Sequence, residues 1–168
     1  MKRPPGERHR ARGLRFALLR SSFNAPVTDG LVEGARAALL ESGARPGQIE
    51  VVTVPGAFEL PLAALAAARS GAFDAVVALG AVIRGETDHY EHIAREAAAG
   101  LSAVSRKTRV PVGFGVLTCE TEAQALARSA PGEANKGAEA ARAALAMVHV
   151  LRGFGTKNTK KRKRLRRG

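Results

Sequence analysis

The chain reads as an α/β fold, a parallel sheet joined by right-handed crossovers with helices on both faces. Three observations predict it. Short apolar runs alternate with amphipathic stretches from Leu14 to Arg152. The stretch Ala75 to Ile83 is apolar without alternation, which suits a central strand covered on both faces. At 168 residues with a single cysteine, the chain is long enough to bury one core without disulfides.

Each element follows from local pattern. Leu14 to Leu19 predicts the first strand, with a loop through Ser21, Ser22, Phe23, Asn24, Ala25 and Pro26. From Val27 to Ser42, Val27, Leu31, Ala35 and Ala38 recur at helical spacing, and Gly43 ends the helix. Ile49 to Val54 predicts the second strand, and Phe58 to Arg69 an alanine-rich helix that tolerates Pro61 in its first turn. Ala75 to Ile83 is the third strand, Thr87 to Lys107 a long helix and Val110 to Thr118 the fourth strand. Thr121 to Ser129 and Asn135 to Arg152 predict two closing helices, and no repeat of solenoid period occurs.

The formal net charge of +12 sits at the ends. Residues 1–15 carry +5 and residues 157–168 carry +8, while residues 16–156 sum to −1. The expected domains are therefore a basic disordered arm over 1–13, a folded body over 14–156 and a basic disordered tail over 157–168. Clustered positive charge attracts phosphate backbones, and it is equally the composition of a solvated tail. No apolar run approaches the roughly 20 residues that span a bilayer, and no leader pattern follows Met1, so a cytoplasmic protein without membrane contact is expected.

In a parallel sheet, ligands sit beyond the carboxyl ends of the strands. The loops there hold Phe23-Asn24, Pro55-Gly56-Ala57-Phe58-Glu59 and Arg84-Gly85-Glu86-Thr87-Asp88-His89, with Phe114 and Thr118 on the fourth strand. Three of the seven aromatic residues fall in these segments, where rings form either a stacking slot for a planar heterocycle or ordinary packing at strand ends. Gly85 permits a sharp turn that would put the Glu86 and Thr87 amides at a helix amino terminus, an anion site, although Thr87 also reads as a plain N-cap. His89 follows in the first turn, as a proton-exchanging imidazole or a simple surface residue. Asp88, His92 and Glu96 share a helix face, yet no further His or Cys cluster completes a ligand set, and no metal is expected. Arg128 and Lys136 flank Pro131-Gly132, each either a cation for an anion on another loop or chain or an ordinary surface residue. A phosphate loop ending in Gly-Lys-Ser/Thr, a paired-cysteine motif and a Gly-x-Ser-x-Gly elbow are all missing, which excludes the common nucleotide and serine hydrolases.

Taken in order, Phe23-Asn24, Val54-Pro55-Gly56-Ala57-Phe58-Glu59-Leu60-Pro61, Ala78 to Thr87 with His89-Tyr90, Gly113 to Thr118, and Asn135-Lys136-Gly137 closely resemble the lumazine synthase family from about Arg15 to Phe154. The resemblance implies a three-layer αβα sandwich with a parallel, flavodoxin-like four-stranded sheet. It implies condensation of 5-amino-6-(D-ribitylamino)uracil with 3,4-dihydroxy-2-butanone 4-phosphate to give 6,7-dimethyl-8-ribityllumazine, phosphate and water, without cofactor or metal. By the same likeness Phe23 stacks on the pyrimidine, Ala57, Phe58 and Glu59 hold the ribityl chain, and the backbone of Ala81, Val82 and Ile83 reads the uracil edge. Glu86, Thr87 and Arg128 resemble the phosphate site, with Lys136 a nearby second cation, and His89 resembles the proton-transfer residue. In the family the residue that Phe114 resembles comes from the adjacent subunit, which implies a homo-oligomer, a pentamer or a multiple of it, with sites at subunit interfaces.

Ser129 to Ala134 replaces the Gly-Thr-Lys-x-Gly pattern of shell-forming members, Asp88 is acidic beside the phosphate site and Ala123 stands where a Glu is usual. The basic tail lies outside the family pattern and makes a polyanion a candidate partner, as a riboflavin synthase is by function. The competing class, a non-enzymatic shell or nucleic-acid-binding module on the same fold, requires only the basic ends.

Overall fold

The computed structural model describes residues 9–165, with side chains to Phe154. Four strands, β1 (Phe16–Ser21), β2 (Ile49–Val54), β3 (Ala75–Ile83) and β4 (Val112–Cys119), form one sheet in the order β2-β1-β3-β4. Every pairing is parallel. Five helices connect and close it: α1 (Ala25–Glu41), α2 (Leu60–Arg69), α3 (His89–Thr108), α4 (Glu122–Ser129) and α5 (Lys136–Leu165).

Alternation along the strands divides the core into two halves. Phe16 and Leu18 of β1 and Val77 and Leu79 of β3 face a layer built from Leu31 and Leu39 of α1, Ala125 of α4 and Ala141 and Leu145 of α5. Ala17 and Leu19 with Val76 and Ala78 face Leu60 and Ala64 of α2 and Leu101 and Val104 of α3. The architecture is the expected three layers. β3 is buried along its length up to Ile83, as its unbroken apolar sequence requires, and each large side chain so covered contributes about 1.5–3 kcal/mol.

On the α5 side the layers approach at backbone distance. A β-carbon at Gly115 would come within 2.6 Å of the Leu79 Cδ2 atom, and one at Gly113 would overlap the Ala140 carbonyl oxygen. One at Gly137 would overlap the carbonyl oxygen of Leu31 on α1. Glycines on β4 and at the start of α5, with alanines along α5, therefore allow the last helix to lie against both the sheet and α1.

Several boundaries differ from expectation. α1 starts two residues early, because Asn24 takes a left-handed backbone (φ 57°) and Pro26 is accommodated in the first turn. β1 and β4 are shifted toward the carboxyl end relative to the expected Leu14 to Leu19 and Val110 to Thr118. α3 begins at His89 rather than Thr87, with Asp88 as its N-cap, so Glu86 and Thr87 precede the helix.

The arm expected to be disordered over 1–13 is packed where it is described. Ala11 is fully buried, its amide donates to the Ser42 carbonyl at 2.8 Å, and the His149 Nε2 lies 2.8 Å from the Arg10 carbonyl oxygen. One small apolar residue among arginines suffices to fit between the end of α1 and α5. Residues 1–8 lie outside the described residues. The backbone of α5 continues to Leu165, past the expected end at Arg152 and into the segment expected as a disordered tail, consistent with the good helix propensity of Lys and Arg. Residues 166–168 lie outside the described residues. Among the described residues no helix is long and apolar enough to cross a membrane.

Gly137→Ala should lower the melting temperature by about 5 °C, the effect of overpacking against a backbone carbonyl, while Gly47→Ala, which meets open space, shifts it by less than about 1 °C. Scanning calorimetry of the two variants beside the parent protein checks the pair, and equal midpoints would contradict the packing described.

Candidate active site

Four parallel strands place their four following loops at one end of the sheet. The chain leaves β1 toward β2 and leaves β3 toward β4, so the crevice between β1 and β3 is the topological switch point. Phe23 and Asn24 stand on one side of it. Asn24 heads α1, its carbonyl accepting the Val27 and Thr28 amides at 2.9 and 3.0 Å, and its side-chain Nδ2 donates across the crevice to the Ala81 carbonyl at 3.0 Å. An asparagine suits this position because it tolerates the left-handed conformation and still carries a donor.

The next loop is tied to the first. The Ser22 hydroxyl donates to the carbonyls of Val54 and Pro55 at 2.9 and 3.1 Å, and the Ser22 amide also reaches Val54. Gly56 then lies under the Phe23 ring. A β-carbon there would sit 3.3 Å from the ring and 3.0 Å from a Glu59 carboxylate oxygen, so the ring and the carboxylate converge on one glycine. Ala57 is buried beside Gly80, whereas Phe23 and Phe58 are 70% and 55% exposed. Rings that open to solvent offer faces for stacking.

β3 supplies the far wall. Its pairing with β1 ends at Leu79, so Gly80, Ala81, Val82 and Ile83 run on beyond their neighbour and turn one backbone edge to the crevice. On the other side they pair with β4, Ala81 opposite Leu117 and Ile83 opposite Cys119. The Arg84 amide donates to the Cys119 carbonyl at 2.9 Å and its guanidinium pairs with Glu120, which draws this side chain toward β4. Glu86, Thr87 and His89 are exposed on the segment that enters α3.

The remaining expected residues gather elsewhere. Phe114 pairs with Ala78, three residues short of Ala81, and is half exposed on β4. It lines a groove of about 730 Å³ along the outer edge of that strand, together with Thr118, Arg109, Arg128, Lys136 and Met147. Arg128 ends α4 and donates to the Gln124 carbonyl at 2.9 Å; Lys136 begins α5 and pairs with Glu139 at 2.8 Å. The groove is about two strand spacings, roughly 10 Å, from the switch point. One chain thus separates the expected site residues into two groups: Phe23, Ala57, Phe58, Glu59, Ala81, Val82, Ile83, Glu86, Thr87 and His89 at the crevice, and Phe114, Arg128 and Lys136 at the sheet edge.

Sequence reasoning missed Arg106 and Arg109, which line the groove from the end of α3, since only the strand order reveals that this helix end borders the β4 edge. It also missed Ser22, whose tie between two loops has no sequence signal beyond its place after a strand. Among the described residues no group of three or more His, Cys, Asp or Glu side chains gathers as a metal site.

A switch-point crevice lined by rings, a carboxylate and an open strand edge defines an α/β protein of the class that binds small ligands beyond its strand ends. A family model described as 6,7-dimethyl-8-ribityllumazine synthase matches residues 13–152, most of the chain, and the chain belongs to that family. It is thereby a substrate-binding transferase of riboflavin biosynthesis that forms 6,7-dimethyl-8-ribityllumazine and belongs to a family that assembles as oligomers.

Proposed function

We propose that these two groups are half-sites that complete one another across a subunit interface of a cytoplasmic homopentamer, or a multiple of it, with the crevice holding the pyrimidine and the groove of the neighbour holding the phosphate. The observation that carries this reading is their separation on a single chain: Phe23 and His89 lie at the switch point, while Phe114, Arg128 and Lys136 line the outer edge of β4.

The roles follow from chemistry. Phe23 stacks on the uracil ring, with Phe114 of the adjacent subunit closing the slot. The carbonyls and amides of Ala81, Val82 and Ile83 pair with the uracil edge, and the Ala57-Phe58-Glu59 segment meets the ribityl hydroxyls, Glu59 as an acceptor. The 5-amino group attacks the ketone of the four-carbon substrate and one water leaves as the imine forms; phosphate is eliminated to leave an enol that tautomerises to a second ketone, and the ribitylamino nitrogen closes the ring on that carbon with loss of a second water. His89 moves the protons. Arg128 and Lys136, with the backbone at Glu86 and Thr87, hold the phosphate and stabilise it as it departs. Holding two reactants together supplies much of the acceleration, up to about 7–11 kcal/mol where alignment is good.

The basic tail supports a second, accessory role. Eight Lys/Arg and no acidic residue lie in 157–168, a density that attracts polyanions and is multiplied in an oligomer. A riboflavin synthase is a candidate partner because it consumes the product.

His89→Ala should reduce turnover by about 10²-fold without abolishing it, and Arg128→Ala should chiefly raise the KM for the phosphate substrate. Steady-state kinetics decide both: wild-type turnover in the first, or an unchanged KM in the second, removes that role. Co-refolding His89→Ala with Arg128→Ala subunits in equal amounts should restore about a quarter of the sites, because random neighbours leave that fraction with both halves intact. No recovery at low phosphate-substrate concentration would place the whole site within one chain. Deleting residues 157–168 should preserve synthesis while abolishing retention of RNA at low salt; if the full-length protein retains no RNA either, the accessory role is discarded.

A further inference from the structure

Asn135 belongs to the Asn135-Lys136-Gly137 motif, yet no part of the reaction above uses it. It is 1% exposed, one of few buried polar side chains among the described residues. Its Nδ2 donates to the carbonyls of Gly30 on α1 at 3.0 Å, of Ser129 at the end of α4 at 2.7 Å, and of Ala130 at 3.1 Å. Its Oδ1 accepts the Ala138 amide at 3.0 Å, and its own carbonyl accepts the Glu139 amide at 3.1 Å, so it also caps α5. An amide nitrogen has two hydrogens, which the three carbonyls share.

Those contacts fall immediately beside the two cations. Ser129 follows Arg128 and Lys136 follows Asn135, while the intervening residues Ala130 to Ala134 are exposed. α4 has only eight residues and cannot hold its own end in place. The buried amide is the cross-link that sets the end of α4 against the start of α5, and both against α1. α1 is shaped to receive it. A β-carbon at Gly34 would overlap the Asn135 side-chain oxygen, and one at Gly30 would come within 2.6 Å of the Ser129 carbonyl oxygen.

We infer that Asn135 is a positioning residue for the phosphate substrate, fixing the spacing between Arg128 and Lys136 through its seat over Gly30 and Gly34. This rests on the proposed phosphate role of Arg128. Groups that must meet one anion together need a fixed spacing, and a displacement of about 1 Å is enough to cost affinity. The cations themselves are exposed, and the contacts that Arg128 makes with Gln124 and Lys136 with Glu139 lie within their own helices. Their spacing is set from beneath.

Two full-length variants test it by different routes. Asn135→Ser keeps an acceptor to cap α5 but cannot reach the three carbonyls. Gly34→Ala leaves Asn135 in the chain and evicts its side chain from the seat. In both, the KM for the phosphate substrate should rise about tenfold, as should the inhibition constant of inorganic phosphate, while the KM for the pyrimidine substrate stays within about twofold. Added to Arg128→Ala, Asn135→Ser should raise that KM by less than about twofold further, since both act on one contact. If Arg128→Ala raises the KM for the phosphate substrate and Asn135→Ser does not, or if Asn135→Ser raises both KM values alike, the positioning role is overturned while the phosphate site stands. If Arg128→Ala itself leaves the KM unchanged, the phosphate reading has failed and the positioning role falls with it. Should Gly34→Ala not fold, Asn135→Ser decides alone.

Discussion

β3 has to satisfy its backbone on both edges with parallel partners while helices cover both its faces, and the remaining architecture adjusts to that demand. The chain must reach β2, β3 and β4 each by a crossover, because parallel strands cannot be joined by a tight turn. Each crossover returns the chain to the same end of the sheet. All four carboxyl-terminal loops therefore collect at one end, and the reversal of winding between β1 and β3 opens a crevice there. Asn24 spans that crevice with one hydrogen bond to Ala81, just past the point where β1 ceases to pair with β3. The opening is thus a consequence of strand order, and the Asn24 side chain ties its two sides together.

The same sheet accounts for the separation of the candidate site residues into two groups. β4 is the last strand on its side, and its outer edge is bordered by the end of α3 and by α5. Phe114, Arg128 and Lys136 are carried to that edge and Phe23 to the crevice, with β3 and β4 between them. No side chain is long enough to bridge the two without passing over the sheet. Membership of a family that assembles as oligomers is compatible with the proposal that a second chain brings its edge to the crevice.

Small residues carry the α5 side of the molecule. Gly113, Gly115 and Gly137, with Ala140, Ala141 and Ala144, let α5 press on β4 and α1 at backbone distance. Contacts this close tolerate little change in volume. They also leave few places for a polar group, which is why Asn135, with all its bonding capacity engaged, is conspicuous. A buried amide of this kind specifies one arrangement of three helices where packing alone would allow several.

Much of this was legible in the sequence. The apolar run of β3, the helical spacing of apolar residues in α1 and the loop motifs depend on local pattern, and local pattern reflects which face of an element is buried. The boundaries that moved did so where a single backbone conformation decides, as at Asn24 and Asp88, and such choices depend on partners distant in the chain. The packing of Ala11 was hidden because its neighbours are arginines, and composition does not reveal a gap that one methyl group fills. The residues at the crevice were visible as loop residues; that Phe114, Arg128 and Lys136 share a groove with Arg109 was not. Sequence determined the elements, the family and the identity of the chemical groups, since these reside in residue type and order. Tertiary structure decided which groups meet, because strand order and helix packing bring together residues from β4, α3, α4 and α5 that have no local signal in common.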